Sequence, residues 1–247
     1  MPKTGVIIQA RMGSTRLPGK VMKKLFDKTV LSHVIERVKQ IDTIEEIIIA
    51  TSTLERDKII VNEAVKCGVE FFRGSENNLL SRYYNAAKKN NINNIVRITS
   101  DCPLIDPIVS NEIIEKYLNN NYVIVTNGGS KEKRTYPRGL DTSVFSFQSL
   151  KDAYINATED YQREHVTPHI YETTDKKDIY YFQNDIDYSN YRLTLDEKAD
   201  WKLIKKIYKE LYSGEHNFYL SDIIQLLQKN PELPKIKKFV KQKKKKK

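Results

Sequence analysis

Short runs of apolar residues alternate along this chain with segments whose apolar residues recur at helical spacing. The short runs cover residues 6–10, 46–52, 69–72, 94–99 and 122–126. The helical segments cover 30–41, 55–67, a stretch from Asn77 or Asn78 to Asn90, and a helix that starts at Pro107. Alternation of this kind predicts right-handed βαβ units. We therefore expect an α/β fold with a mostly parallel central sheet flanked by helices.

The second half of the chain is less regular. Its pattern predicts an extended or hairpin segment over 134–148, helix over 149–173, strands at 180–182 and 191–195, and helices at 198–212 and 219–228. No stretch rich in glycine, proline or serine divides the chain, and there is no internal repeat. We therefore predict one domain over residues 1–234 and a disordered lysine-rich tail over 235–247.

The positive charge of the chain is concentrated in that tail. The formal net charge is +10, but nine of the 42 Lys and Arg residues lie in 235–247, where there is no acid. The other residues carry 33 basic against 32 acidic side chains, so the body is nearly neutral. This distribution argues against nucleic acid as a partner of the body, and leaves contact of the tail with RNA or anionic lipid as an alternative.

Hydropathy and the N-terminal sequence bear on location. Mean hydropathy is −0.58, and no apolar run approaches the roughly 20 residues that cross a bilayer. The chain passes from Met-Pro-Lys-Thr-Gly directly into Val6 without the features of a signal peptide. We expect no membrane span and a cytoplasmic location.

The strongest local signal is the segment that follows the first apolar run, QARMGSTRLPGK over residues 9–20. Gly13 permits close approach of the backbone to a ligand, and exposed backbone N–H groups in such a loop bind anions. Arg11, Arg16 and Lys20 can surround a polyphosphate. The glycine spacing fits neither of the two common phosphate-binding motifs. The alternative is a surface turn with scattered cations.

Two acidic residues end predicted strands elsewhere in the chain. Asp101 follows 94–99, and Asp196 follows 191–195. Ligands of parallel α/β sheets bind beyond the carboxyl ends of the strands, and Mg²⁺ is held by one or two carboxylates together with phosphate oxygens and water. Asp101 and Asp196 are therefore candidate Mg²⁺ ligands. The alternative for Asp196 is a cap of the helix at 198–212.

Six motifs, in this order, resemble the cytidylyltransferases of spore coat polysaccharide synthesis. They are IIQARMGSTRLPGKVMKKL, FRGSENNLLSRYYNAA, RITSDCPLIDP, YPRGLDTSVFS, REHVTPHIY and YRLTLDEKADW. The resemblance covers roughly residues 4–230. It extends to the related acylneuraminate and 3-deoxy-manno-octulosonate cytidylyltransferases, from which the second half of this chain departs.

The resemblance implies a GT-A-like nucleotidyltransferase fold with a nucleotide-binding half, 1–128, and an acceptor and dimerisation half, 129–234, in a homodimer. The implied CTP-binding residues are Gln9, Ala10, Arg11, Gly13, Ser14, Arg16, Lys20, Thr51, Ser52, Arg82, Thr99 and Ser100. The implied Mg²⁺ ligands are Asp101 and Asp196. The implied acceptor-binding residues are Arg138, Gly139, Asp141 and His165.

The reaction that the resemblance implies is transfer of CMP from CTP to a sugar or sugar acid, with release of pyrophosphate, for surface polysaccharide synthesis. Arg11, Lys20 and Asp101 are the expected catalytic residues. Three alternatives remain at this stage. They are a nucleotidyltransferase that uses GTP or UTP, a GT-A glycosyltransferase whose acid pair would be Asp185 and Asp187, and a binder of nucleic acid or membrane surfaces that acts through the tail.

Overall fold

The computed structural model describes residues 2–129 and 132–235. The strands are β1 Thr4–Gln9, β2 Lys24–Leu25, β3 Lys28–Thr29, β4 Glu46–Ser52, β5 Glu70–Gly74, β6 Asn94–Thr99, β7 Ile124–Thr126, β8 Ser143–Ser146 and β9 Ile179–Tyr181. The helices are α1 Val30–Val38, α2 Lys58–Lys66, α3 Leu79–Lys89, α4 Pro107–Leu118, α5 Phe147–Asn156, α6 Asp160–His165, α7 Pro168–Thr173, α8 Lys198–Leu211, α9 Leu220–Lys229 and α10 Glu232–Lys235. Turns of 3₁₀ helix occupy Lys20–Met22, Glu55–Asp57 and Lys176–Asp178.

The described residues form one sheet of seven strands in the order β5-β4-β1-β6-β8-β7-β9. Strands β5, β4, β1 and β6 run parallel, and β8 runs antiparallel to both of its neighbours. The α/β class with a mostly parallel central sheet is thus confirmed. Strands from both sides of residue 128 join this sheet.

Each face of the sheet is covered by helices, which explains why β1 and β4 read as continuous apolar runs. Along β1, Val6 and Ile8 belong to a core cluster that includes residues of α1, α4, α8 and α9, whereas Ile7 belongs to a second cluster that includes residues of α3 and α5. None of the helices in the described part of the chain is long and apolar enough to cross a membrane.

The chain leaves β1 for β4 on one side and later returns to β6 on the other. Strand order therefore reverses at β1, and such a switch point opens a crevice beyond the carboxyl end of the strand. The loop 10–20 follows β1 at this position, and Asp101 follows its neighbour β6.

Several element predictions differ from the structure. The strand predicted at 191–195 is wrong, since only an isolated bridge joins Arg192 to Arg138. The hairpin of β2 and β3 was not predicted, because two-residue strands carry almost no periodic signal. Lys235 ends α10, and the prediction for the rest of the tail concerns residues 236–247, which lie outside the described residues.

Asp106 connects two helices that come from distant parts of the sequence. Its buried carboxylate accepts hydrogen bonds from the backbone N–H groups of Ile108 and Val109, at 2.9 and 3.0 Å, and so caps α4. Its second oxygen accepts from the N–H of Leu220, at 2.5 Å, at the start of α9. One side chain thus fixes α9, and with it the C-terminal helices, to α4.

We expect Asp106→Ala to lower the free energy of unfolding by about 2–4 kcal/mol, because a helix cap is lost and a buried N–H is left unpaired. Urea unfolding followed by circular dichroism measures the change. Asp42→Ala is the control: Asp42 is exposed and makes no described hydrogen bond, so its loss should change stability by no more than about 0.5 kcal/mol. Equal stability of the two variants would contradict the role assigned to Asp106.

Candidate active site

The loop 10–20 lies across the carboxyl ends of β1 and β4. The backbone N–H of Met12 donates to Oδ1 of Asp57, at 2.8 Å, and the other carboxylate oxygen of Asp57 accepts from the hydroxyl of Ser52 at the end of β4. At Gly13 the loop comes close to a side-chain pair: a Cβ there would lie 3.1 Å from Nη2 of Arg56 and 3.2 Å from Oε1 of Glu76. The loop is therefore held in place at its start.

Gly19 turns the end of this loop back towards the sheet. It has φ +65°, a left-handed conformation that glycine adopts without steric cost, and the 3₁₀ turn Lys20–Met22 follows directly. The ammonium of Lys20 donates to Oδ2 of Asp101 at 2.6 Å and to Oδ1 of Asp196 at 2.9 Å. One cation therefore lies between the two predicted metal ligands.

Asp196 is surrounded by cations. Its Oδ1 also lies 3.1 Å from Nη2 of Arg16, and its Oδ2 accepts from Nη2 of Arg192 at 2.6 Å. Asp196 is not the helix cap that was considered as an alternative. The backbone N–H groups of Asp196 and Glu197 instead donate to Asp200, at 2.8 and 2.9 Å, and leave the carboxylate of Asp196 facing the crevice.

The charges in this cluster stabilise one another. Burial, the largest influence, lowers the pKa of Lys20, but the combined effect of Asp101 and Asp196 outweighs it and the net pKa is raised. Burial raises the pKa of Asp196, but Lys20, Arg16 and Arg192 hold it below its ordinary value. The stability from this pairing is lost only as the pH rises through the raised pKa of Lys20 or falls through the lowered pKa of Asp196. Both groups are therefore charged at neutral pH.

The same two carboxylates fit a hard divalent cation. Asp101 and Asp196 converge on a single point, and Mg²⁺ takes one or two carboxylates when phosphate and water complete its octahedron. Among residues 2–129 and 132–235, no cluster of three or more His, Cys, Asp or Glu side chains could hold a metal by itself. Two carboxylates are too few to hold a metal alone, so this site suits a metal that is bound together with the phosphate groups of a nucleotide.

The predicted base-side residues divide into two groups. Gln9, at the end of β1, is half-buried, and Arg82 on α3 is 3% exposed with Nε and Nη1 lacking hydrogen-bond partners. Burial lowers the pKa of Arg82, and the nearby charge of Arg11 lowers it further. Thr51 and Ser52, in contrast, are fully buried, and the hydroxyl of Ser52 is used by Asp57. Those two side chains shape the floor of the crevice rather than line its surface.

The remaining loop residues lie along the rim. Arg11 and Arg16 are exposed, and the hydroxyl of Ser14 accepts from the N–H of Leu17 at 3.3 Å. Ala10 and Ser100 are buried beside β1, and the backbone N–H of Ser100 donates to the carbonyl of Gln9 at 3.2 Å. Thr99 contacts the thiol of Cys102.

The PRGLD segment lies beside the strand-like stretch that leads to Asp196. The N–H of Arg138 donates to the carbonyl of Tyr191 at 3.2 Å, and the N–H of Leu193 donates to the carbonyl of Arg138 at 2.6 Å. At Gly139 φ is +104°, and a Cβ would lie 2.5 Å from backbone atoms of Leu193 and Thr194. Only glycine fits at this contact.

Asp141, the last residue of the PRGLD segment, contacts both this segment and Arg134. It accepts from the N–H of Gly139 at 3.1 Å and forms an ion pair with Arg134. Arg134 is buried, and its Nε and Nη1 lack hydrogen-bond partners. The charges of Arg134 and Arg192 both act on Arg138, whose pKa is lowered first by burial and then by these cations. Three arginines thus lie near one another, and one of them, Arg192, pairs with Asp196.

His165 lies on a different element from the PRGLD segment. It ends α6, which packs on α3, and the next residue, Val166, has φ +69° and ψ −57°. The N–H of Thr167 donates to the carbonyl of His165 at 2.8 Å, which makes this a γ-turn of the rare, strained kind. A β-branched residue held in such a turn is a local strain of the sort that concentrates at functional sites.

Sequence reasoning missed four polar residues that the structure adds to the site. They are Asp57, Tyr83, Arg134 and Arg192. Arg192 precedes Asp196 by four positions in one of the six motifs, which is a signal that could have been used. Asp57 and Tyr83 act on backbone or amide groups of distant residues, and no local pattern indicates such contacts.

A separate cavity of about 550 Å³ lies at the opposite end of the strands. It is lined by residues at the amino ends of β4 and β5, among them Glu46, Ile47, Glu70 and Phe71. None of the predicted site residues lines it, so the cavity is not the site described here.

The crevice at the switch point, the cationic loop and the two convergent acids define a nucleotidyltransferase of the α/β type. A solved CMP:2-keto-3-deoxy-manno-octonic acid synthetase complexed with CTP shares this fold, with a TM-score of 0.62 at 16% identity over 84% of this chain and 99% of that one. The sequence model of the family described as Cytidylyltransferase matches residues 5–244. The chain belongs to the cytidylyltransferase family.

Among the relatives that match along nearly the whole chain are a spore coat protein and a solved cytidylyltransferase. The spore coat polysaccharide biosynthesis protein SpsF of Bacillus subtilis is 33% identical over 92% of this chain and 94% of its own length. A structure of a cytidylyltransferase from Leptospira borgpetersenii is 37% identical, with a TM-score of 0.88 over 95% of this chain and 97% of that one. These matches confirm the resemblance carried by the six motifs.

We expect Gly139→Ala to lower the free energy of unfolding by at least about 2 kcal/mol more than Gly214→Ala. Both glycines have positive φ, +104° and +109°, so both variants share the cost of backbone strain. A Cβ at Gly214 meets nothing within 4 Å, whereas a Cβ at Gly139 overlaps the backbone at Leu193 and Thr194. Urea unfolding compares the two, and equal losses would show that the close approach contributes nothing.

Proposed function

We propose that this protein transfers CMP from CTP to a sugar acid and releases pyrophosphate. The observation that carries the proposal is the position of Lys20, the last residue of the cationic loop 10–20, whose ammonium joins Asp101 to Asp196. Family membership supports the nucleotide and the class of reaction. The name of the solved synthetase with this fold, and the role of SpsF in spore coat polysaccharide, support a sugar-acid acceptor and a surface polysaccharide as its destination.

The loop 10–20 supplies the charge that a triphosphate requires. Arg11 and Arg16 are exposed on the rim, from which their guanidinium groups can reach β- and γ-phosphate oxygens, Arg16 by exchanging its ion pairs with Asp196 and Glu197. Gly13 and Ser14 lie between them and offer backbone N–H groups. Lys20 lies deeper and faces the α-phosphate end of the site. In this arrangement Gln9, Ala10 and Arg82 surround the base, with Thr51, Ser52, Thr99 and Ser100 supporting it.

The chemistry is an in-line displacement. A hydroxyl oxygen of the acceptor forms a bond to the α-phosphorus of CTP and releases its proton to solvent. The bond from that phosphorus to the α,β-bridging oxygen breaks, and pyrophosphate leaves with the electron pair of that bond. Positioning and electrostatic stabilisation carry most of such a reaction. Arg11 and Lys20 stabilise the charge that develops on the phosphates, and Arg16 leaves Asp196 and Glu197 to take part as the nucleotide binds.

Asp101 and Asp196 are the proposed ligands of Mg²⁺. When bound, the metal withdraws charge from the α-phosphoryl oxygens. In the structure described here Lys20 neutralises the two carboxylates, with Arg192 holding the far oxygen of Asp196. When a nucleotide binds, its phosphate oxygens offer the ammonium of Lys20 an alternative partner. Asp101 and Asp196 are then available to bind the metal.

Arg134, Arg138 and Arg192 favour an anionic acceptor. Arg192 pairs with Asp196 and Asp200, and its charge and that of Arg134 both act on Arg138. Arg134 pairs with Asp141, and its Nε and Nη1 lack hydrogen-bond partners. A carboxylate on the acceptor sugar fits these guanidinium groups. We assign Arg138, Gly139 and Asp141 to the acceptor side, and His165 at its strained turn to the same half of the protein.

The glycosyltransferase alternative has no support from the geometry. Asp187 accepts a hydrogen bond from the N–H of Ser189 at 2.8 Å, both Asp185 and Asp187 are exposed, and neither makes a described hydrogen bond or ion pair with the loop 10–20. We retain a homodimer formed through residues 129–234 and a cytoplasmic location, where nucleoside triphosphates are available, as parts of the proposal.

We expect pyrophosphate release with CTP to exceed release with ATP, GTP or UTP when each is supplied with a panel of sugar acids and sugar phosphates. Asp101→Ala should lower kcat by at least about 100-fold, because it removes one of the two proposed carboxylate ligands of the metal that offsets charge at the α-phosphate. Asp42→Ala serves as the matched carboxylate control and should keep wild-type turnover. A faster reaction with UTP or GTP, or equal turnover of Asp101→Ala, would overturn the proposal.

Metal binding itself gives a second test, in which Mn²⁺ replaces Mg²⁺ and free Mn²⁺ is followed by electron paramagnetic resonance. Without nucleotide, Lys20→Met should bind Mn²⁺ about tenfold more tightly than wild type, because two carboxylates then lack their cation. The double variant Lys20→Met with Asp101→Asn should lose that gain. Identical Mn²⁺ affinities in all three proteins would remove Asp101 from the metal site.

A further inference from the structure

A buried tyrosine contacts the end of β1 at the base side of the site. The hydroxyl of Tyr83, on α3, lies 3.0 Å from the carbonyl oxygen of Ile7 and 3.2 Å from the side-chain amide of Gln9, at Oε1. Tyr83 is 0% exposed, and burial raises its pKa to about 12. The hydroxyl is therefore neutral at physiological pH and carries one proton.

That single proton determines which way the amide of Gln9 faces. A backbone carbonyl only accepts hydrogen bonds, and the contact of the Tyr83 hydroxyl with Ile7, at 3.0 Å, is shorter than its 3.2 Å contact with Gln9, so we assign the proton of Tyr83 to Ile7. The oxygen of Tyr83 can then only accept from Gln9. The two ends of a glutamine amide have the same shape, and hydrogen-bond partners decide which is which. Both contacts are satisfied only when the NH₂ end of Gln9 faces Tyr83 and the carbonyl end faces away.

The outward end of this amide lies at the mouth of the nucleotide crevice. Gln9 is the last residue of β1, is half-buried, and directly precedes the cationic loop. Within the described part of the chain, the amide atom turned away from Tyr83 has no hydrogen-bond partner and is not among the buried unpaired atoms. Arg82, the neighbour of Tyr83 on α3, has two unpaired N–H positions. An acceptor and several donors are therefore available on this side of the site.

We propose that Tyr83 is a positioning residue that holds the amide of Gln9 with its carbonyl oxygen outward, where it accepts from the exocyclic amino group of cytosine. Uracil has a carbonyl at that position. The uracil carbonyl and the side-chain carbonyl of Gln9 would then face each other with no proton to form a hydrogen bond between them. A site built around such a group rejects the wrong base because a polar group is left unpaired. This inference rests on the proposed function, since it assumes that a cytosine nucleotide occupies the crevice.

The test is the ratio of kcat/KM for CTP to kcat/KM for UTP. Gln9→Leu removes the acceptor, and Tyr83→Phe frees the amide to reverse, so each should lower the ratio by about tenfold. Tyr84→Phe is the matched control. Tyr84 stacks on Phe147 and Tyr154, with ring centroids 5.6 and 4.2 Å away, and its variant should keep the wild-type ratio.

A rescue variant separates positioning from general damage to the fold. Glutamate offers an acceptor oxygen in either orientation, so Gln9→Glu combined with Tyr83→Phe should restore the preference for CTP to within about threefold of wild type. An unchanged ratio in Tyr83→Phe, or a failure of Gln9→Glu to rescue it, would overturn the inference. If the wild-type protein does not use CTP, the proposed function itself fails, and that result is visible before any variant is compared.

Discussion

The ammonium of Lys20 between Asp101 and Asp196 is the contact on which the rest of the site depends. It joins a loop, the end of β6 and the approach to α8, which are separated by 81 and 176 positions in the sequence. Two carboxylates this close repel each other unless a cation lies between them. Lys20 supplies that cation in the described structure. In the proposed function, a metal bound together with a nucleotide would take the place of this cation between the two carboxylates.

The surrounding protein is built to maintain this arrangement. Gly19 directs Lys20 into the crevice, Arg192 orients the far oxygen of Asp196, and Asp200 takes the backbone donors that would otherwise compete for Asp196. On the other side, Gly139 lets the PRGLD segment approach Leu193 closely enough for backbone hydrogen bonds. The hydrogen bonds of Asp200, the turn at Gly19 and the close backbone contact at Gly139 act independently, and each restricts where the charged groups can lie.

The strands of the parallel part of the sheet, β1, β4, β5 and β6, were predictable because they are short apolar runs covered by helices on both faces of the sheet. The bounds predicted for β4 and β6 match the structure, and those of β1 and β5 differ by one or two residues. The stretch at 191–195 was mistaken for a strand because its apolar and polar residues alternate. Leu193 and Leu195 are indeed buried, but the backbone groups of this stretch bond mainly to Arg138 and Asp101 rather than to a ladder. Periodicity reports which side chains are buried, not which backbone partner they find.

The sequence by itself determined the fold class, the cationic loop after β1 and the candidate acids Asp101 and Asp196, because each of these can be recognised from a short stretch of consecutive residues. Only the tertiary structure decided that Asp196 faces Lys20 while Glu197 is the N-cap of α8 and donates to Asp200, that Thr51 and Ser52 lie beneath the crevice, and that Tyr83 reaches Gln9. The reason is physical: periodicity and turn preferences act over a few residues, whereas a hydrogen bond or an ion pair depends on distances that only the folded chain sets.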